Sequence, residues 1–407
     1  MAKAMSENAV IKNEIILAKG EGEYQEVRHI ILEGSNKAIG KALGDIAREA
    51  YGVLDLFPYA DAIYAKAHME YIRDNDPSLL ERMKGVAQSY AVGENELAYN
   101  TSMLNYALGG KACSAVFFPP SHTVNGHPMI SRNTEFYTAT FSEFVGLEPV
   151  PGTPGLFSQN YVMELYPDDG YPSMVAGSLD LLSGLCDGMN TEGLSVSYLA
   201  DNNVLTIATT DPTRPVGLMD QQLARLLLET CATVDEAKVT ILKNKFFMLF
   251  DGSHLMVADA SGRSFIAELS EKDFTIHFID NDRAPQIMTN HSVWEYPDTT
   301  TFPEVPTDAR YDSFNRYRVL DDYIRGHEGK FSREDMRYVL SLVYANTNDS
   351  SEGAAHDLPC RILWPILYDC HDRSFTMKFY LKDGEEEAIT GGPEPIFSET
   401  MEFKLQS

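Results

Sequence analysis

The sequence predicts a layered α+β fold, because helical and strand-forming stretches come in long separate runs. Up to about residue 110 the apolar residues recur at helical spacing, and Gly109-Gly110 ends that pattern. Segments such as CSAVFF (113–118) and HPMISRNTEF (127–136) then indicate strands, and helices return near residue 217 and after residue 311. Runs of this kind are typical of stacked helical and sheet layers rather than of a repeating βαβ arrangement.

The first run carries recognisable helix starts. Ser35 can cap a helix whose apolar face includes Ile39 and Leu43. Asp76-Pro77 combines a capping aspartate with proline at the first helical position. A third helix is predicted from Glu94 to Ala107, so the segment before Cys113 is predicted to be helical.

The two strands at 113–118 and 127–136 flank a turn-rich segment and are predicted to form a hairpin. Further helices are predicted at Gly217–Glu229, after Thr233 (which begins a capping box), from about Tyr311, and after Ser332. Further strands are predicted at NYVMEL, SMVAGS, LSVSYLA, HLMVAD, SFIAELS, FTIHFID, ILWPILYD and SFTMKFYL.

Composition excludes several classes of function. A formal net charge of −27 argues against unspecific binding to nucleic acid or anionic membrane, which both require a basic surface. There is no secretory signal and no long uncharged apolar run, so no membrane span is expected. Five scattered cysteines fit a reducing cytoplasm better than a disulfide framework. No nucleotide, zinc or serine-hydrolase motif occurs, so no cofactor and no metal are expected.

Cys113 and Arg132 are the first candidate site residues. A lone cysteine is more often a small buried apolar residue than a nucleophile. The predicted hairpin, however, brings Arg132 opposite or close to Cys113 if the turn is centred between His122 and Thr123. There its permanent charge would favour the thiolate, although a surface arginine at a strand end is the commoner case.

Three further motifs follow in order along the chain. Asn190 stands in the glycine-flanked bend GMNTEG (188–193), and Asn290 stands in TNH (289–291). Arg316 and Arg318 lie in SFNRYR (313–318) on a predicted helix. Each motif alone is most simply an ordinary turn or a solvated helical charge.

Taken in order, Cys, Arg-Asn-x-acid, Gly-Met-Asn-x-x-Gly, Thr-Asn and Ser-x-x-Arg resemble the cysteine N-terminal-nucleophile hydrolases. That superfamily includes choloylglycine (bile salt) hydrolases, penicillin V acylases, acid ceramidase and fungal penicillin acyltransferases. The resemblance covers roughly residues 113–380, including CRILWPILYD, which is similar to a strand of the acyltransferase branch. GSNKAIGKALG in the leader is similar to the start of that same branch.

The resemblance implies a four-layer αββα sandwich formed by residues 113–407, with residues 1–112 as a helical leader. It also implies roles for individual residues. Cys113 matches the nucleophile, Arg132 the arginine at its sulfur, and Glu135 an aspartate that helps to hold the α-amino group. Glu135 is one methylene longer than that aspartate, and Ala112 replaces the glycine of the acyltransferases. Asn190 and Asn290 match the two asparagines linked with oxyanion stabilisation, and Arg316 matches the second arginine, with Arg318 as the alternative.

An N-terminal cysteine carries its own base. Its α-amine, with a pKa of roughly 7.7–8.0, can accept the thiol proton and later donate it to the leaving amine. That amine exists only after the bond between Ala112 and Cys113 is broken, so self-cleavage into pieces of 112 and 295 residues is expected. The leader is expected to stay bound, because its apolar faces must be buried.

The predicted activity is hydrolysis of a small, linear, non-peptide amide of the N-acyl, bile-salt-like or penicillin-like kind. Acyl transfer to an amine acceptor is the close alternative. A processed but inactive binding or scaffold protein is a rival from another class. A conventional cysteine protease would need a paired histidine, for which no motif is present. The other expected partners are the cleaved leader and, in a homo-oligomer, further copies of the chain.

Overall fold

The computed structural model describes most of the chain, and everything below concerns this described part. It comprises residues 9–107, 112–201, 211–248, 252–270, 272–273, 275–281, 283–306, 312–347, 358–388 and 391–406. Gly109-Gly110 and the predicted helix start at Tyr311 lie outside it.

Residues 9–107 combine strands and helices, in chain order: β1 (Val10–Leu17), β2 (Glu26–Gly34), α1 (Asn36–Ala50), β3 (Phe57–Pro58), α2 (Ala62–Asn75), α3 (Pro77–Ser89) and β4 (Tyr99–Asn100). Residues 112–201 are mostly strand: β5 (Ala112–Phe118), β6 (Met129–Tyr137), α4 (Phe141–Phe144), β7 (Gln159–Pro167), β8 (Ser173–Gly177), β9 (Asp187–Asn190) and β10 (Ser195–Ala200).

Two helices and six strands follow after residue 217. In chain order they are β11 (Leu218–Met219), α5 (Asp220–Thr230), α6 (Val234–Lys243), β12 (Phe246–Phe247), β13 (Ser253–Ala258), β14 (Ser264–Leu269), β15 (Ile276–Asn281) and β16 (Gln286–Met288). The C-terminal part contains α7 (Ser313–Gly326), α8 (Arg333–Ser341), β17 (Asn346–Thr347), β18 (Cys360–Asp369), β19 (Ser374–Met377), β20 (Tyr380–Glu387), β21 (Pro393–Phe397) and β22 (Met401–Lys404).

Two large sheets form the centre of the fold. The nine-stranded sheet has the order β1-β2-β7-β8-β9-β10-β13-β14-β15. The seven-stranded sheet has the order β16-β5-β6-β18-β19-β22, with β17 paired to β18. The two sheets face each other across a buried apolar layer that includes Phe117 and Trp364 from one sheet and Val162 and Met256 from the other.

Helices cover the outer face of each sheet. Leu227 of α5 belongs to the same buried cluster as Val196 of β10, on the outer side of the nine-stranded sheet. Leu320 of α7 and Val339 of α8 pack with Val116 of β5 on the outer side of the seven-stranded sheet. The layers therefore run helix, sheet, sheet, helix, and the predicted αββα sandwich is confirmed.

The predicted helices around Ser35 and Asp76 are confirmed with their caps. The hydroxyl of Ser35 accepts from the amide of Ala38 at 3.2 Å. The carboxylate of Asp76 accepts from the amide of Leu79 at 2.9 Å. The capping boxes that begin at Thr233 and Ser332 are also present.

Two predictions for the leader are wrong. The leader is not purely helical, because β1 and β2 belong to the nine-stranded sheet and β2 runs parallel to β7. The third predicted helix, from Glu94 to Ala107, is absent. Within this segment the side chain of Asn100 accepts a hydrogen bond from the amide of Ser102 at 3.0 Å. A local bond of this type offers the backbone an alternative to the helix.

None of the described helices is long and apolar enough to cross a membrane.

Gly40, in the motif GSNKAIGKALG, lies where helix α1 packs closely against helix α3. Helices α1 and α3 approach so closely that a Cβ on Gly40 would lie 2.0 Å from the carbonyl oxygen of Arg82. A Cβ on Gly85 would lie 2.1 Å from the carbonyl oxygen of Lys37. Glycine is required here for close contact between two backbones, not for a turn.

We expect Gly85→Ala to destabilise the protein by about 1–3 kcal/mol, because the two backbones must separate. Helix propensity alone predicts the opposite sign, a gain of about 1 kcal/mol for this change. Gly93→Ala is the control, since no atom lies within 4 Å of a Cβ there. Urea unfolding of both variants measures the difference, and a stabilised Gly85→Ala protein would contradict the close approach.

Candidate active site

The predicted hairpin of β5 and β6 is confirmed, but its register differs by two residues from direct pairing of Cys113 with Arg132. Cys113 lies opposite Thr134, and Arg132 lies opposite Ala115. Because side chains alternate between the faces of a strand, a shift by two residues keeps Arg132 on the face of Cys113. The two residues are diagonal neighbours, a separation that a long side chain can span.

The sulfur of Cys113 lies between the two sheets with a guanidinium beside it. Cys113 is 0% exposed, and Nη2 of Arg132 donates to its Sγ at 2.9 Å. A fixed cation at this distance stabilises the thiolate relative to the neutral thiol.

Asp187 of β9 holds Arg132 in place. Its Oδ2 accepts from Nη1 of Arg132 at 2.6 Å and from Nε1 of Trp364 at 3.1 Å, while Tyr368 donates to its Oδ1. Nη2 of Arg132 also donates to the carbonyl oxygen of Tyr198 at 3.1 Å. Burial acts to lower the pKa of Arg132, but Asp187 and Cys113 outweigh it and raise that pKa.

Sequence reasoning missed Asp187 and selected Asn190 on the same short strand. The structure corrects this choice, since Nδ2 of Asn190 donates to the carbonyl oxygens of Leu228 at 2.8 Å and Cys231 at 2.7 Å. Its backbone amide donates to Leu194. Asp187 faces the other sheet and Asn190, three residues on, faces helix α5, as alternation along a strand requires. Asn190 therefore ties α5 to the sheet instead of joining Cys113.

Asn290 lies directly beside Cys113. Its Oδ1 accepts from the backbone amide of Cys113 at 2.9 Å and from Nη2 of Arg316 at 2.8 Å. Its Nδ2 donates to the carbonyl oxygen of Ala200 at 2.7 Å. The nitrogen that would become the α-amine is thus held by this side chain.

The structure distinguishes between the two candidate arginines. Nη1 of Arg316 donates to the carbonyl oxygen of Cys113 at 2.6 Å and to the hydroxyl of Ser114 at 2.9 Å. Arg318 instead donates to Asn315 at 2.9 Å and lies over the ring of Phe302. Arg316 is therefore the arginine that the fold brings to Cys113.

Glu135 is buried next to these groups but makes different described contacts from those expected. It lies opposite Ala112 in the ladder, and its Oε1 accepts from the amide of Ala345 at 2.8 Å. Its Oε2 is 3.7 Å from Nη1 of Arg316. The described partner of the Cys113 amide is Asn290. Glu135 is linked to Cys113 indirectly, because its carboxylate lies beside Arg316, which bonds to the backbone of Cys113.

A buried carboxylate that the sequence did not indicate supports the loop after Asn290. Glu268 accepts from the amides of Val293 and Trp294, both at 2.9 Å, and from the hydroxyl of Ser292 at 2.9 Å. His254 lies 3.0 Å from the same carboxylate. Burial acts to lower the pKa of His254, but Glu268 outweighs it and raises that pKa.

His291 follows Asn290 and is held uncharged. Its Nδ1 lies 2.9 Å from the hydroxyl of Ser313, which also accepts from the amide of Asn290 at 2.8 Å. Burial, together with the nearby charges of His254 and Arg316, lowers the pKa of His291 to about 3.

His291 therefore predicts a specific dependence of stability on pH. Its folded pKa lies below the unfolded value of about 6.5, so its contribution is complete above that value and is lost as the pH falls. Between pH 4 and 6 we expect His291→Gln to reduce the slope of unfolding free energy against pH by about 1.4 kcal/mol per unit. Urea unfolding at several pH values measures both slopes, and equal slopes would show that His291 is charged in the folded protein.

The chain matches known proteins over much of its length. The family described as acyl-coenzyme A:6-aminopenicillanic acid acyl-transferase matches residues 127–383. A penicillin V acylase from Pectobacterium atrosepticum is 31% identical over 140 residues, which is 31% of this chain and 36% of that protein. The match thus spans about a third of the relative's length.

Solved structures resemble the chain at lower identity. A conjugated bile acid hydrolase from Clostridium perfringens aligns with a TM-score of 0.45 at 14% identity, covering 72% of this chain and 97% of that one. A penicillin V acylase from Agrobacterium tumefaciens aligns with a TM-score of 0.43 at 19% identity, covering 66% and 82%. Because the family match extends over more than half of the sequence, the chain belongs to the acyl-coenzyme A:6-aminopenicillanic acid acyl-transferase family.

Proposed function

We propose that the chain is an amidohydrolase that cleaves itself before Cys113 and then hydrolyses a linear, non-peptide amide through a thioester on Cys113. The observation that carries this proposal is the double anchoring of one residue. The sulfur of Cys113 accepts from Arg132, and its backbone nitrogen donates to Asn290. Both atoms that an N-terminal nucleophile needs, the sulfur and the future amine, are thus held from opposite sides.

Self-cleavage begins with attack of the Cys113 sulfur on the carbonyl carbon of Ala112. The acyl group moves from nitrogen to sulfur, and the nitrogen takes up a proton to become the α-amine. Water then hydrolyses this thioester, releasing a carboxylate at Ala112 and restoring the thiol. The cut gives a leader of 112 residues and a catalytic piece of 295.

Cleavage would also expose the sulfur of Cys113 to a substrate. Cys113 is fully buried in the uncleaved chain, so no substrate carbonyl can reach its sulfur in this state. Release of the new chain ends on either side of the cut would provide the space. The same reaction would then create the base and open the site.

In turnover the α-amine accepts the thiol proton, and the sulfur attacks the substrate carbonyl. The leaving amine takes that proton as the tetrahedral intermediate collapses to a thioester. Water then releases the carboxylic acid and regenerates the thiol. Arg132 stabilises the thiolate, Asn290 and Arg316 fix the nitrogen and carbonyl of Cys113, and Glu135 acts through Arg316 in this proposal.

Aromatic side chains support a substrate with an apolar acyl half. The ring of Phe136, at the end of β6, lies 5.5 Å from that of Phe144 and 5.4 Å from that of Phe157. Phe157 in turn lies 6.4 Å from Trp364, which contacts Asp187. Phe136, Phe157 and Trp364 are buried in the layer between the two sheets. If the cut opens this layer, the rings would favour a phenyl or other apolar acyl group, in keeping with the penicillin V acylase relative.

Acyl transfer is the second candidate function, because the family that the chain belongs to is described as an acyl-transferase. The thioester would then react with an amine instead of water. Turnover of one acyl substrate with and without an added amine acceptor separates the two, since only transfer yields a new amide.

We expect the purified protein to consist of two fragments, the larger of which begins with Cys113. Because β2 lies between β1 and β7 in one sheet, both fragments should elute together from a sizing column without denaturant. Cys113→Ala should abolish cleavage and turnover, whereas Cys113→Ser retains a weaker nucleophile and should cleave slowly. N-terminal sequencing and intact mass decide the matter, and a single full-length chain with full amidase activity would disprove the mechanism.

Arg316 and Arg318 provide a matched pair for testing the site. Arg316→Lys keeps the charge but cannot reproduce the fork that bonds Cys113, Ser114 and Asn290 at once, so kcat should fall by at least about tenfold. Arg318→Lys should leave kcat within about twofold, because its contacts are to Asn315 and Pro303. Steady-state kinetics on the two processed variants, with melting curves to compare folding, tests this, and equal activities would remove Arg316 from the machinery.

A further inference from the structure

Two histidines and two aspartates meet where two hairpins end, away from Cys113. Their donor atoms, from His127, Asp369, His371 and Asp372, all lie within 4.8 Å of one another. His127 directly precedes the β6 segment, and the other three lie at the turn between β18 and β19. No sequence motif revealed the group, because His127 and Asp369 are 242 residues apart.

The separations of the donor atoms fit a small divalent cation. A tetrahedral zinc ion with bonds of about 2.0–2.2 Å places its ligand atoms about 3.3–3.6 Å apart. Nδ1 of His127 lies 3.0 Å from Oδ1 of Asp369 and 4.0 Å from Oδ2 of Asp372. Nδ1 of His371 lies 3.3 Å from Oδ1 of Asp372. Small side-chain movements would bring all four to zinc distances.

The surroundings orient the ligands as metal sites require. Nη2 of Arg333 donates to Oδ2 of Asp369 at 2.6 Å, and the amide of Asp372 donates to its Oδ1 at 2.9 Å. These bonds fix the buried carboxylate with both oxygens 3.0 Å from Nδ1 of His127. Neighbours that fix metal ligands in this way are usual in zinc sites. The positive charge of Arg333 disfavours a bound cation, but the two negative charges of Asp369 and Asp372 outweigh it.

We propose that His127, Asp369, His371 and Asp372 bind a single zinc ion that ties the ends of the two hairpins together. The ion would stabilise the ladder of β6 and β18, in which Arg132 lies opposite Ile366. The proposal is independent of the amidase activity.

A second cluster, Asp201, His254 and Glu268, is a weaker candidate. The oxygens of Glu268 already accept from the loop at Ser292, Val293 and Trp294. A metal would have to displace those bonds inside the core.

The test is a Zn²⁺ titration of the purified protein with all its residues present, cleaved or uncleaved. The protein is first stripped of metal with a chelator and dialysed, and a chromophoric chelator then competes with it for zinc. We expect one zinc ion per chain and a higher melting temperature with zinc. His371→Ala removes a side chain that is 61% exposed, so folding should persist while zinc affinity falls at least about tenfold. Asp372→Asn should cause a similar loss with both imidazoles retained.

His277→Ala is the matched control, because His277 pairs with Asp273 at 3.0 Å on the surface and stacks on Trp294. That pair offers two ligands instead of four, so its loss should not change zinc affinity. The proposal is overturned if the parent protein takes up no stoichiometric zinc. It is also overturned if His371→Ala and Asp372→Asn bind zinc as tightly as His277→Ala.

Discussion

The buried ion pair between Arg132 and Asp187 is the interaction on which the site depends. Both side chains are wholly buried, and a charge in such a place requires a partner within hydrogen-bond distance. Arg132 comes from the seven-stranded sheet and Asp187 from the nine-stranded sheet, so the pair fixes the two sheets relative to each other beside the sulfur of Cys113. Removing one partner of such a pair typically costs about 3–5 kcal/mol. The same contact therefore stabilises the fold and, in the proposed function, holds the arginine that favours the thiolate of Cys113.

A second group of hydrogen bonds forms around the backbone of Cys113. Arg316 from α7 and Asn290 from the loop after β16 bind each other and bind the backbone of Cys113. Glu268 and His291 hold the loop that carries Asn290, and they do so with a carboxylate and an uncharged imidazole. The outer helix, the loop and the strand that bears Cys113 are thus joined by hydrogen bonds to backbone atoms, which fixes where the peptide lies and not only where a side chain points.

The sequence predicted much of this arrangement because it follows from periodicity and order. Alternation in a hairpin placed Arg132 on the face of Cys113 even though the register differed by two residues. On β9 the glycine-flanked bend and the resemblance pointed to Asn190, whereas Asp187, three residues earlier, makes the contact with Arg132. A strand of four residues is too short for its alternation to indicate which side chain faces the other sheet. Glu268 could not be identified either, since a glutamate in a strand is usually exposed, and only the fold shows that the loop amides converge on it.

The packing of residues 1–112 requires the proposed cleavage to follow folding. Strand β2 is hydrogen-bonded to β7 along nine residue pairs, and Ile30 and Leu32 belong to the buried cluster that also contains Leu227 of α5. A catalytic piece without residues 1–112 would expose that sheet edge and part of its core. The site that would cut the chain is assembled from residues 132, 187, 290 and 316, which meet only once both sheets have formed. If the chain cuts itself as proposed, folding with residues 1–112 in place is therefore a precondition of the cut. The proposed cut would convert this segment from a covalent neighbour into a bound subunit without changing the core that holds it.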